Sequence, residues 1–250
     1  MKTDLQIIYG IRPVIEGIKS GKEIEKILIQ NGLRSEAFFE LKGLIKEFDI
    51  PYQYVPIEKL NKITYNNHQG IIAYISSVTY HNLENSIAYA FEKGKSPLVL
   101  ILDRITDVRN FGAIARTAEC AGVAAIVIPS RGAAQINAVA VKTSAGALNS
   151  IPVCRDKNLR DSIRYLKECG LKIVACTEKS EKSYYEAELV DPVAIILGSE
   201  ENGISGEYLK LADMSVKIPI EGMIESLNVS VAAGIILFEA LRQRTMSNEQ

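Results

Sequence analysis

Apolar and polar positions alternate with two different textures along this chain. Over residues 12–48, charges and apolar residues recur at helical spacing in "VIEGIKSG", "EKILIQNG" and "EAFFELKGLIKEF". The spacing predicts helices in all three stretches. Ser35 stands ahead of the third as its N-cap. "PYQYVP" and "GIIAYISSV" read as short strands. Residues 1–78 therefore read as a small α/β domain. Residues 79–96, "TYHNLENSIAYAFEKGKS", are more polar and read as a linker carrying a short helix.

From Pro97 the pattern changes to strong α/β alternation. "PLVLILD" (97–103) is a continuous apolar run ending in Asp, as expected of a parallel strand covered on both faces. "NFGAIARTAECAG" (110–122) follows as a helix of small residues closed by Gly122. "AAIVIP", "KIVACT", "VAIILG" and "MSVKIPI" read as further strands, and residues 159–169, 205–212 and 228–243 as helices. The fold class is α/β: a small N-terminal α/β domain, then a doubly wound parallel sheet of about five or six strands over residues 97–250.

Composition narrows the classes. The 250 residues are 47% hydrophobic and 24% charged, as in a globular protein with an ample core. No apolar stretch approaches the ~20 residues of a membrane span. "MKTDLQIIYG" lacks the features of a signal peptide, so the cytoplasm is the expected compartment. Cys120, Cys154, Cys169 and Cys176 form no C-x-x-C pair, and His68 and His81 lie far from them; a zinc site is not expected. The net charge of −1 means that any nucleic acid must be held by local, shape-dependent contacts.

Ligands of open parallel sheets bind at the carboxyl ends of the strands, and three segments there carry unusual chemistry. The first is "DRITDVRNFGAIARTAECAG" (103–122). An N-cap Asn110 and a surface Arg116 are the plain reading; it explains Arg116 less well, because its helix is otherwise small and apolar and an Arg in a packed helix usually has an anionic partner. The second is "LGSEENGIS" (197–205), with Glu200 and Glu201 between Gly198 and Gly203. Taken alone it reads more commonly as an ordinary Gly/Asn turn with solvated carboxylates. The third is "ESLNVSVAAG" (225–234). One capping oxygen suffices for a helix N-terminus, yet Glu225, Ser226 and Asn228 crowd the start of a helix that is apolar nearly all round and so reads as buried. No G-x-G-x-x-G and no G-x-x-x-x-G-K-[ST] follows a strand, which disfavours a dinucleotide-binding oxidoreductase.

Taken in order, these three segments resemble the motifs of the SpoU (TrmH-like) family of RNA 2'-O-ribose methyltransferases. "IYGIRPVIEGI" and "HQGIIAYI" resemble the substrate-binding domain of its RlmB-type members, which act on a guanosine of 23S rRNA. The resemblance implies a trefoil-knotted (SPOUT-type) C-terminal domain, S-adenosyl-L-methionine as cofactor and a homodimer acting on rRNA. It assigns Asn110, Arg116, Glu200, Ser226 and Asn228 to catalysis, and Thr177, Gly198, Ile218 and Leu227 to the cofactor pocket. It leaves tRNA as an alternative substrate, and a non-catalytic RNA-binding assembly factor as an alternative of another class. The second motif of the family often reads Gly-Glu-Gly-x-Gly, where this chain reads "GSEENG". Lys22, Lys26, Arg34 and Lys42 are candidate phosphate contacts, with solvated helix faces as the equal alternative. His68 reads as a turn residue before Gly70, and Tyr184 and Tyr185 read as packing residues.

Overall fold

The computed structural model describes residues 6–248. The chain divides into two compact units, one reaching Thr79 with Gln135–Ala138 added, the other comprising the remainder.

The smaller unit orders its elements as β1 (Ile7–Tyr9), α1 (Ile11–Lys19), β2 (Ile24–Gln30), α2 (Glu36–Glu47), β3 (Tyr52–Val55), α3 (Ile57–Asn61) and β4 (Ile71–Ile75). The four-stranded sheet runs β1-β4-β2-β3, with β4 antiparallel to both neighbours and β3 parallel to β2. Ser35 caps α2, accepting from the Phe38 amide. "EKILIQNG" is a strand rather than the expected helix. Ile27 and Ile29 pack under α1 and α2, while Leu28 packs with Val55, Leu60 and Ile72 on the opposite face. A strand buried on both faces loses the two-residue alternation, and a short apolar run then mimics one turn of helix. His68 is the turn residue expected: its Nδ1 accepts from the Gly70 amide at 3.0 Å and its Nε2 meets Asn61 Oδ1 at 2.8 Å.

The larger unit begins earlier than the sequence pattern implies. β5 (Tyr80–His81) pairs with β8 (Val153–Asp156), and α4 (Leu83–Glu92) buries Leu83 and Ile87 in this unit's core. Residues 80–96 are thus built into the fold instead of forming a linker; two buried side chains on one helical face suffice to dock the helix. The remaining elements are β6 (Leu98–Asp103), α5 (Val108–Cys120), β7 (Ala125–Pro129), α6 (Ala138–Thr143), α7 (Leu159–Glu168), β9 (Lys172–Cys176), β10 (Val193–Gly198), α8 (Gly206–Leu209), β11 (Met214–Val216) and α9 (Val229–Asn248). Among the described residues the sheet has seven strands in the order β11-β9-β10-β6-β7-β8-β5, every pair parallel. β5 and β8 are the strands that the pattern misses; both are short, and β5 is half exposed. β6 is buried along its whole length, as a central parallel strand should be.

This order positions the site. The chain moves outward from β6 through β7 and β8, crosses to β9, and then inserts β10 between β9 and β6. The loops after β6 and β10 therefore leave adjacent strand ends at the carboxyl edge, where ligands of parallel sheets bind.

Candidate active site

The loop after β6 enters α5 through Asp107, whose carboxylate accepts from the Asn110 amide at 2.7 Å. Asp107, not Asn110, is the N-cap. Relieved of capping, the Asn110 side chain reaches Glu200, donating from Nδ2 to Oε1 at 3.1 Å.

Glu200 sits in the loop after β10, which turns back on itself. A Cβ on Gly198 would lie 2.1 Å from the Gly203 carbonyl carbon, so no other residue fits there. The Gly203 amide donates to Ser199 O at 2.8 Å and closes the loop. Glu200 Oε1 accepts from three donors: Asn110 Nδ2, Asn228 Nδ2 at 2.8 Å and the Val229 amide at 3.2 Å. The carboxylate thus lies at the positive end of the 20-residue α9.

Asn228 begins α9. Its Oδ1 accepts from the Ser230 amide at 3.0 Å and from Ser230 Oγ at 2.5 Å, while its Nδ2 is shared between Glu200 and Asn110 Oδ1. One side chain caps the helix and cross-links the three segments. Ser226 is exposed on the wall of a cavity.

That cavity, of about 560 Å³, lies over the ends of β9 and β10 and is lined by Thr177, Gly198, Ile218 and Leu227 together with Ser226 and Glu225. All four residues expected around the cofactor meet there. The Thr177 amide is held by Val216 O at 2.8 Å. Glu178, Glu200 and Glu201 add carboxylates to the wall against a single basic residue, Lys179. Cys176 is also on the wall; burial, aided by Glu178, pushes its thiol up to about 12, so it presents a neutral surface. A second cavity, of about 450 Å³, opens on the other side of the Glu200 loop and is lined by Arg104, Thr106, Asp107, Asn110 and Gly132. Glu200 and Val229 border both cavities.

Arg116 stands apart from this cluster. Its neighbours Ile114, Ala115 and Ala118 are buried, but Arg116 itself is exposed and has no hydrogen-bond or ion-pair partner among the described residues. The expectation of a packed Arg with an anionic partner fails within one chain, because position 116 falls on the open face of α5. α9 corrects a second expectation. Ala233, Ile236, Leu237 and Ala240 are buried, yet Val231 and Phe238 are 50% and 48% exposed. The first turns of the helix are apolar nearly all round, but the chain covers only one side of them.

Pattern reading missed Asp103 and Arg104 as partners. Asp103 is 2% exposed, and Arg104 Nε and Nη2 bond its carboxylate at 3.0 and 3.2 Å. The available signal was a carboxylate ending an otherwise wholly apolar strand, since a buried carboxylate requires a partner.

Comparison with known proteins decides the identity. The SpoU rRNA Methylase family matches residues 97–238, and the RNA 2'-O ribose methyltransferase substrate-binding family matches residues 7–81. The chain belongs to the SpoU family. It is an RNA methyltransferase dependent on S-adenosyl-L-methionine, and its larger unit has the SPOUT fold. Among relatives of this SpoU methylase, a Bacillus subtilis chain named to the TrmH family of tRNA/rRNA methyltransferases, YacO, is 34% identical over 97% of both chains. The Vibrio vulnificus 23S rRNA (guanosine-2'-O-)-methyltransferase RlmB is 35% identical over 97% of this chain and 98% of its own. The AdoMet-bound rRNA methyltransferase of Sinorhizobium meliloti superposes with a TM-score of 0.60 at 25% identity, covering 94% of this chain and 86% of its own.

The first cavity suits the cofactor. Its volume falls within the ~300–1,000 Å³ of small-molecule sites. Ile218, Leu197, Leu227 and Ala232 offer apolar walls for a flat heterocycle, and the surplus of carboxylates suits a cationic ligand. No group of three or more His, Cys, Asp or Glu among the described residues could hold a metal ion.

Proposed function

We propose that this protein methylates the ribose 2'-hydroxyl of a guanosine in 23S rRNA. The observation that carries the reading is the Glu200 carboxylate: it gathers Asn110 and Asn228 on a wall shared by two cavities, one suited to a cationic cofactor and the other open beside it. The 35% identity over 98% of the RlmB relative supports the substrate.

In this reading the first cavity holds the donor through Thr177, Gly198, Ile218 and Leu227, with Ser226 completing its mouth. Bound there, S-adenosyl-L-methionine supplies an electrophilic methyl group on a sulfonium. The target ribose enters the second cavity. Asn110 and Asn228, locked by Glu200, orient the sugar for in-line attack, and such positioning is worth several kcal/mol of barrier. The hydroxyl is a weak nucleophile, and Arg116 acts on it as a nearby positive charge that favours the alkoxide while the proton passes to a neighbouring phosphate of the RNA; a guanidinium pKa above ~12 makes Arg116 itself a poor proton acceptor.

Arg116 serves the pocket of a second copy in this reading, and the protein is a homodimer. Support comes from the absence of any Arg116 partner among the described residues and from the exposed apolar side chains of Met223, Ile224, Val231 and Phe238. A trefoil knot belongs to the same reading. β11 lies beyond β9, while α9 packs against α5, so the segment between them passes the Glu200 loop. Residues 1–78 serve as the RNA substrate-binding domain, and the 2'-hydroxyl itself separates RNA from DNA. The cytoplasm is the proposed compartment; no helix among the described residues is long and apolar enough to cross a membrane.

Mass spectrometry of ribosomal RNA nucleosides tests the substrate. A strain lacking the protein should lose one 2'-O-methylguanosine from 23S rRNA. An unchanged 23S profile with a methyl group missing from tRNA would overturn the assignment.

A further inference from the structure

We infer that Arg104 is a positioning residue for methyl transfer: its guanidinium straps the loop after β10 to the end of β6 and so holds Glu200 against Asn110 and Asn228. The inference rests on the methyl-transfer reading above for its functional half.

The backbone is the first sign. Arg104 has φ +58°, a left-handed conformation disfavoured for a side chain of this size. Successive residues of a strand point to opposite faces, so a straight continuation of β6 would carry Arg104 away from Asp103. The left-handed turn brings the guanidinium back onto its neighbour, Nε to Oδ1 at 3.0 Å and Nη2 to Oδ2 at 3.2 Å. A strained residue at a strand end beside two cavities invites a functional explanation.

The second sign is what else the pair holds. Arg104 Nη2 donates to Gly203 O at 3.2 Å, and Asp103 Oδ2 accepts from the Ser205 amide at 2.7 Å. The returning limb of the loop therefore hangs from this one ion pair at two points. The outgoing limb is fixed by strand register, Gly198 standing opposite Asp103. Between the limbs lies Glu200, whose three hydrogen bonds assemble the catalytic segments. Arg104 also lines the cavity that contains Asn110. A lysine could neutralise Asp103, but its single ammonium cannot span the carboxylate and the Gly203 carbonyl as a planar fork does.

The test uses Arg104→Lys, which keeps the charge, and Arg104→Gly, which relieves the left-handed backbone. In the full-length protein without donor or RNA, amide hydrogen exchange at Gly203 and Ser205 should quicken about tenfold or more in both variants, with β6 and β10 amides unaffected. In methylation assays kcat should fall about tenfold or more while donor affinity stays within about threefold. In a Glu200→Gln background the same substitutions should cost less than about twofold, because the strap would have nothing left to position. Unchanged exchange at Gly203 and Ser205, or losses that simply multiply with those of Glu200→Gln, would overturn the inference. The exchange measurement needs no RNA, so it stands apart from the methyl-transfer reading, which fails instead if the unaltered protein methylates no RNA.

Discussion

Asn228 donates to Asn110 Oδ1 at 3.1 Å across 118 residues of sequence. The bond joins the first turn of α9 to the first turn of α5, and Glu200 Oε1 accepts from both amides. Each helix start is capped without exhausting its polar groups, by Asp107 in α5 and by Asn228 Oδ1 in α9. The polar groups left over at these two helix starts face each other and Glu200.

Asn228 has two jobs that substitution can separate. Asn228→Ala removes the cap and the cross-link; it should cost about 1 kcal/mol of stability and lower kcat by about a hundredfold. Asn228→Asp retains a capping oxygen but sets a second carboxylate beside Glu200. It should keep most of the stability and lose the activity. Denaturant titration and steady-state methylation read the two effects, and an Asn228→Asp protein with normal turnover would refute the cross-linking role.

Complementation tests the proposed origin of Arg116. Arg116→Ala and Asn228→Ala proteins should each be inactive. If Arg116 acts across a dimer, unfolding and refolding them together produces heterodimers with one intact composite site, and activity returns to about a quarter of the unaltered level, given random pairing of two-fold dimers. No recovery on mixing would mean that Arg116 acts within its own chain.

Arg244 holds the far end of α9. Its Nε donates to Leu189 O at 2.8 Å, its Nη1 to Ser96 O at 2.6 Å, and its Nη2 to Asp191 O at 2.9 Å and Pro97 O at 3.3 Å. These carbonyls precede β6 and β10. Burial lowers the pKa of this guanidinium from its usual value. Arg244→Met keeps the stem but strands the carbonyls, and should lower the unfolding free energy by about 3 kcal/mol in urea titration. Donor affinity of the folded protein should persist.

Asp156 gives the stability a pH dependence. Burial raises its pKa, opposed by the hydrogen bond that Ser162 Oγ donates at 2.6 Å, with Glu84 adding a smaller upward push. A carboxyl whose folded-state pKa is raised favours the fold in its protonated form. Its contribution is fully present below the unfolded aspartate pKa and is lost as the pH rises through the folded-state value. Asp156→Asn, which keeps an acceptor for Ser162, should therefore gain stability relative to the unaltered protein as the pH rises above the ordinary aspartate pKa of about 4. Equal pH profiles in urea titration would contradict this.

Some of this architecture is readable from residue pattern and some is not, for physical reasons. β6 and β10 announce themselves because a strand covered on both faces is apolar throughout. The same property disguises β2, where "EKILIQNG" imitates a helical turn. The first turns of α9 are apolar nearly all round, and the pattern cannot say whether its own chain covers every side of them; Val231 and Phe238 remain exposed. The meeting of Asn110, Glu200 and Asn228 depends on β10 inserting beside β6, a long-range event that no local spacing encodes. The motif resemblance could anticipate those residues. Nothing local could anticipate Arg104, whose contact with Asp103 depends on a left-handed backbone angle.

The central claim is methyl transfer to a guanosine 2'-hydroxyl of 23S rRNA. Purified protein should be incubated with isotopically labelled S-adenosyl-L-methionine and, separately, with unmodified 23S rRNA and tRNA, followed by digestion and mass spectrometry of the nucleosides. The account predicts labelled 2'-O-methylguanosine from 23S rRNA, abolished by Asn228→Ala. Label on a nucleobase, or label confined to tRNA, would contradict it.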